Sequence, residues 1–172
     1  RKFTDQVRYL LKLGLKARGI DFPELNVDIK VTSIRQPQSS CPFKSAREKI
    51  YGLGYDLLVF VYEKYDNHDE RTGNLNIRHV IYIDAAQTAD YQTTRGLRSI
   101  VENDGNKDDL IAFMHDRLLP VDEIQAEQLA EELIEDPPEL GYLTISNALQ
   151  WRLQYRRVID EAGQHSGLYR IV

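Results

Sequence analysis

Asp21, Asp28 and Lys30 are the residues of this chain whose types and spacing could do chemistry. They lie in the stretch Asp21-Phe22-Pro23-Glu24-Leu25-Asn26-Val27-Asp28-Ile29-Lys30-Val31-Thr32-Ser33, which ends in a short run of β-formers. Successive strand side chains alternate faces, so Val27, Ile29 and Val31 share one side and Asp28, Lys30 and Thr32 the other. The apolar trio is expected to be buried, which leaves a carboxylate and an ammonium side by side on the opposite face. Asp21 stands seven residues before Asp28, beyond a proline that favours a bend and an extended residue before it. Two carboxylates that converge can hold a divalent cation through hard oxygen ligands. An adjacent lysine can then position or polarise an attacking water. The competing explanation is a solvated charge pair on an exposed edge strand, with Asp21 a turn residue, since exposed charge is the default for these side chains.

Other elements must hold this stretch in place. Residues 3–16 carry Phe3, Val7, Leu10, Leu11, Leu13 and Leu15 at helical spacing, with Gly14 and Gly19 at the fraying end. Residues 34–43 contain two prolines and a polar run and read as a loop leaving the end of the strand. There Arg35, Gln36, Gln38 and Ser39 offer donors and acceptors suited to phosphate or base edges. Ser45 and Glu48 form a capping-box pattern that opens a short helix bearing Arg47 and Lys49, which could face a nucleic-acid backbone.

Residues 55–62 are near-continuously apolar, the mark of a central strand buried on both faces. Glu63-Lys64 ends it, residues 66–73 form a charged turn, and residues 77–83 return antiparallel beside the first strand. Residues 88–101 read as a helix with Arg95 and Arg98 three apart, a spacing that could grip phosphate. Two acidic helices follow over 109–118 and 121–134, closed by Pro137-Pro138. A last helix capped by Ser146 and anchored by Trp151 is expected through Glu161, then a strand over 167–172. His68 and His79 lack partners at ligand spacing, which disfavours zinc. The order of elements predicts an α/β fold with a mixed central sheet flanked by helices, and a helical acidic lobe.

The 172 residues suit one domain, with an ordinary globular composition of 42% hydrophobic and 28% charged residues. Because the chain opens at Arg1 rather than a methionine, it reads as a fragment of a longer one. No apolar run is long enough to span a membrane. Cys41 is the only cysteine, so no internal disulfide can form and a reducing, cytoplasmic setting is expected. The net charge of −5 hides an asymmetry: residues 100–140 hold 13 acids against Lys107 and Arg117, a net of −11, so the remainder carries +6. That basic remainder can meet a polyanion while the acidic lobe stays away from it.

Asp21 with Asp28-Ile29-Lys30 resembles the PD-(D/E)xK pattern of restriction-type endonucleases, and the run from Asp21 to Lys30 resembles the active-site segment of the MutH-like family. The likeness covers about thirty residues, ending at Ser33. It implies a restriction-endonuclease-like fold and hydrolysis of phosphodiester bonds in double-stranded DNA. Asp21 and Asp28 would hold Mg2+ and Lys30 would serve the attacking water, with a homodimer suited to cutting both strands of a palindrome. The chain departs from that family on the first helix, where Leu10 stands at the position of a further glutamate and Asp5 or Gln6 lies about a turn earlier. A MutH-like nicking repair enzyme, a junction resolvase and a catalytically degenerate DNA-binding module are the alternatives.

Overall fold

Two strands of twelve residues each form the spine of the molecule. The structure is a computed structural model that describes residues 20–40, 45–146 and 152–172. In β3 (Asp56–Asn67), Leu57, Val59 and Val61 are fully buried while Leu58 and Phe60 between them are half-buried. The expected strand buried on both faces is therefore buried completely on one. β4 (Thr72–Ile83) returns antiparallel with Ile81 and Ile83 on that same buried face. Both strands extend well beyond the ranges expected from apolar runs. Cross-strand hydrogen bonds continue past the point where the side chains become polar.

β1 (Val27–Ser33) pairs parallel to β3, and β7 (Leu168–Arg170) pairs antiparallel to β4, giving the mixed order β1-β3-β4-β7. A parallel pair needs a crossover, which here carries β2 (Gln38–Ser40) and the short helix α1 (Ala46–Tyr51). The Ser45 side chain caps α1 by accepting from the Glu48 N–H.

The region expected to be one helix from Ser146 to Glu161 is built differently. β5 (Thr144–Ser146) and β6 (Arg152–Gln154) join β2 in a second, three-stranded sheet of order β2-β6-β5. Helix α5 is confined to Arg156–Glu161. Buried Ile145 and Leu153 are each flanked by polar neighbours, a period of two that local helix patterning masks. Both side chains enter the core formed by the first sheet. Trp151 and the first expected helix lie outside the described residues.

The helical lobe has its own core. α2 (Tyr91–Glu102), α3 (Lys107–Asp116) and α4 (Glu123–Glu135) pack with α1 around Ile50, Leu97, Leu110, Met114, Leu129 and Leu133. Each such side chain contributes about 1.5–3 kcal/mol relative to exposure. Capping boxes start both acidic helices, Asn106 with Asp109 and Asp122 with Gln125. The lobe joins the sheet through Asp90, 4% exposed. Its Oδ2 accepts from the Thr93 N–H at 2.9 Å and the Thr93 hydroxyl at 2.6 Å, and its Oδ1 from the Ile145 N–H at 2.8 Å. Gly141 fits beside it because a Cβ there would lie 2.2 Å from the Ala89 carbonyl oxygen.

Candidate active site

A tight reversal brings Asp21 back to β1. Phe22 and Val27 exchange backbone hydrogen bonds at 2.9 and 3.2 Å, closed by Asn26 at φ 55°. Asparagine tolerates that left-handed conformation, and the Asn26 side chain donates to the Gly54 carbonyl at 2.9 Å, fixing the turn to the start of β3. Asp21 Oδ2 then accepts from the Ile29 N–H at 2.9 Å. β1 is an edge strand of its sheet, so Asp21 satisfies an amide on its open side, where an unpaired group would otherwise need water.

The register corrects the expected faces. Asp28 stands beside Leu57, Lys30 beside Val59 and Thr32 beside Val61. Paired residues share a face, so the polar side of β1 is the side of the first core. Asp28 is 8% exposed and Thr32 3%; of the apolar trio expected to be buried, Val27 is 7% exposed, Ile29 half-buried and Val31 50% exposed. The reason lies in the neighbours: β3 and β4 complete the apolar core of this face, and its edge carries polar groups that find partners. The Thr32 hydroxyl lies 3.2 and 3.1 Å from the Gln36 and Gln38 carbonyl oxygens. Lys30 Nζ is 2.7 Å from Asp28 Oδ2. Thr32 as a buried polar neighbour was not legible in the sequence, because nothing local to β1 reveals which face the parallel partner will cover.

Partial burial holds the Asp21 carboxyl above its usual range. The Ile29 N–H opposes this, the adjoining Asp28 carboxylate reinforces it, and Lys30 partly offsets it. The two carboxylates and the ammonium expected from the sequence are thus brought together.

The expected nucleic-acid contacts divide. Arg35 and Gln36 are exposed in the turn that follows β1, and Gln38 opens β2, paired with Gln154. These three stay near the end of the strand that carries Asp28 and Lys30. Ser39 places its hydroxyl 2.7 Å from that of Tyr155. Lys49 is 3% exposed, so its burial within the helical lobe removes it from any nucleic-acid surface. Arg47 makes a two-pronged contact with Glu132 and lies over the Tyr51 ring at 5.1 Å. Arg98 donates to the Pro138 carbonyl at 3.0 Å and to Glu102 at 2.9 Å. Arg95 is exposed near Tyr91, 6.0 Å from its ring centre. Arg47 and Arg98 are bound to the lobe's own acceptors; Glu102 is four residues from Arg98 on one helix, but Glu132 and Pro138 are distant in sequence, and helix spacing could not show them.

Residues 1–170 match the family model described as type II restriction enzyme NspV. The chain belongs to the NspV type II restriction enzyme family. The type II restriction enzyme NspV of Nostoc sp. is 66% identical over 158 residues, which is 92% of this chain and 72% of the relative. No solved structure matches the chain. The restriction-endonuclease class expected from residues 21–30 is the class that the NspV family represents. Among the described residues, no helix is long and apolar enough to cross a membrane.

Proposed function

We propose that this NspV-family chain hydrolyses phosphodiester bonds of double-stranded DNA at Asp21, Asp28 and Lys30, with Mg2+ as cofactor. The observation that carries this reading is the meeting of two carboxylates and an ammonium on the polar edge of the sheet, with Lys30 Nζ 2.7 Å from Asp28. Among the described residues no group of three or more His, Cys, Asp or Glu gathers in metal-binding fashion. Mg2+ fits nonetheless, because it keeps several waters and is commonly held by one or two carboxylates together with substrate phosphate. When bound, the ion would polarise the scissile phosphate and acidify a water. Asp21 and Asp28 would hold it. Lys30, steadied by Asp28, would orient the attacking water and offset the negative charge that builds on the phosphate in the transition state.

The mixed sheet with helices around it supports the restriction-endonuclease-like fold implied by the PD-(D/E)xK resemblance. Residues 1–170 all match one family model, which supports reading the chain as one catalytic domain. Cutting both strands of a palindrome would suit a homodimer, and a cytoplasmic setting accords with the lone Cys41.

Incubation with plasmid DNA separates this reading from a degenerate DNA-binding module. Discrete fragments are expected with Mg2+ and intact plasmid with EDTA. Ca2+ should support binding without cleavage, since it accepts the same oxygens with looser geometry. Equal fragmentation in EDTA and Mg2+ would overturn the metal role.

A pH dependence follows from Asp21. Its carboxyl binds protons more tightly in the fold than in the unfolded chain, so a cation must displace a proton increasingly as pH falls. The Mg2+ concentration for half-maximal cleavage is expected to rise as pH falls toward the Asp21 titration, which lies above the usual aspartate range. By the same sign, the Asp21 charge lowers stability as pH rises through its titration. Metal-free Asp21→Asn protein should therefore melt at the wild-type temperature or above it at neutral pH, while losing cleavage. A half-maximal Mg2+ concentration that is flat in pH would contradict the assignment.

A further inference from the structure

Asparagine is a poor strand former, and its amide carries donors and an acceptor that folded chains generally use. Asn26, Asn67, Asn103 and Asn106 do so here, each bonding backbone at a turn or helix end. Asn74 and Asn76 lie within β4, are exposed, and have no side-chain hydrogen-bond partner among the described residues.

Their place in the sheet gives them a direction. The last pair of β1 with β3 is Ser33 with Tyr62, and β7 pairs only with Ile81, Tyr82 and Ile83 of β4. Beyond Tyr62 the β3–β4 hairpin is thus a two-stranded ribbon with no third strand among the described residues. Glu63 pairs with Asn76, Tyr65 with Asn74 and Asn67 with Thr72. Alternation along β3 puts this row on the face of Leu57, Val59 and Val61, the face that carries Asp28 and Lys30. Arg78, the extra residue at the register shift, donates to Glu63 at 2.8 Å and to the Tyr65 hydroxyl at 2.6 Å, and Tyr65 donates to Glu63 at 2.5 Å. That network occupies the row's one carboxylate and leaves the two amides open.

We infer that this ribbon face enters the major groove and that Asn74 and Asn76 read adenine edges, making them specificity-determining residues for the cleavage proposed above, on which the inference rests. The major groove admits a two-stranded β-ribbon, and an asparagine amide pairs in two-pronged fashion with adenine N6 and N7. The spacing agrees. Lys30 is level with Val59, Asn76 with Glu63 and Asn74 with Tyr65, so the amides lie about 13 and 20 Å further along the strands at roughly 3.3 Å per residue. At about 3.4 Å per base pair, that is on the order of four and six pairs from the scissile phosphate, within the span of a short recognition site.

The test begins by digesting phage DNA with wild-type protein and Mg2+ and sequencing the ends, which gives the recognised site. Duplexes carrying that site, each single-pair substitution, and 7-deazaadenine (which lacks N7) at each adenine are then cut by wild type, Asn74→Ala and Asn76→Ala. Each variant should lose about 5- to 150-fold in kcat/KM on the recognised duplex. The variant should also become indifferent to the base at one A·T pair while the other pairs keep their discrimination. The salt slope of binding should not change, because no phosphate contact is removed. Wild-type discrimination in both variants would overturn the inference, as would uniform weakening on every duplex with a shallower salt slope. If a variant misfolds, the wild-type arm still decides: undiminished cutting of every 7-deazaadenine duplex overturns the inference. Failure of the active-site reading looks different, with cleavage surviving in Lys30→Ala protein and the discrimination ratios untouched.

Discussion

Asp28→Asn protein is expected to fold and bind duplex DNA, yet to cleave it at least about a thousandfold more slowly, equivalent to roughly 4 kcal/mol of lost transition-state stabilisation. Asp28 adjoins Asp21 and holds Lys30 Nζ at 2.7 Å, so one substitution weakens cation binding and frees the ammonium that should meet the water. The amide keeps the shape and removes a charge from a crowded site, which protects the fold. Lys30→Ala should lose cleavage to a comparable extent. It also leaves two neighbouring carboxylates without their cation, so some loss of stability in metal-free protein should accompany it. Single-turnover cleavage beside a DNA-binding titration checks both variants. Near-wild-type turnover by either one, with binding intact, would mean that the chemistry is elsewhere.

Asp90→Ala should have the largest effect on stability, on the order of 3–5 kcal/mol, because it removes a helix cap and strips buried donors of their acceptor. The Thr93 N–H, the Thr93 hydroxyl and the Ile145 N–H all bond this one carboxylate, which is 4% exposed. It ties the start of α2 to β5, and with them the helical lobe to the sheet. For a chain of this size the melting temperature should fall by roughly 10 °C. Asp90→Asn, which retains one acceptor oxygen, should fall between the two. Thermal and urea unfolding measure it; a change under about 0.5 kcal/mol, the scale of an ordinary surface substitution, would show that the junction is not holding the two cores together.

Legibility in the sequence followed how local each signal was. Asp21, Asp28 and Lys30 could be read together because a turn and an alternating strand fix their relation within ten residues. The capping residue Ser45 and the hairpin of β3 and β4 are likewise written in short stretches. The face of β1 was not, because alternation defines two sides without saying which one β3 and β4 will cover. Residues 144–154 misled for a related reason: Leu153 pairs with Ser39 of distant β2 and both it and Ile145 are buried in the core of the first sheet, while their local pattern suits a helix. Lys49 and Arg98 show the limit for charged surfaces, since one is buried and the other held by Pro138 and Glu102. The burial of Lys49 and the Pro138 contact of Arg98 come from other elements, whereas Glu102 lies four residues after Arg98 on the same helix.

The most direct measurement of the central claim is the position of Mn2+, located by its anomalous scattering in crystals of the protein with duplex DNA. An ion is expected within about 2.0–2.4 Å of an oxygen of both Asp21 and Asp28, beside a backbone phosphate and within reach of Lys30. An ion seated away from both carboxylates, or unchanged occupancy in Asp28→Asn crystals, would contradict it.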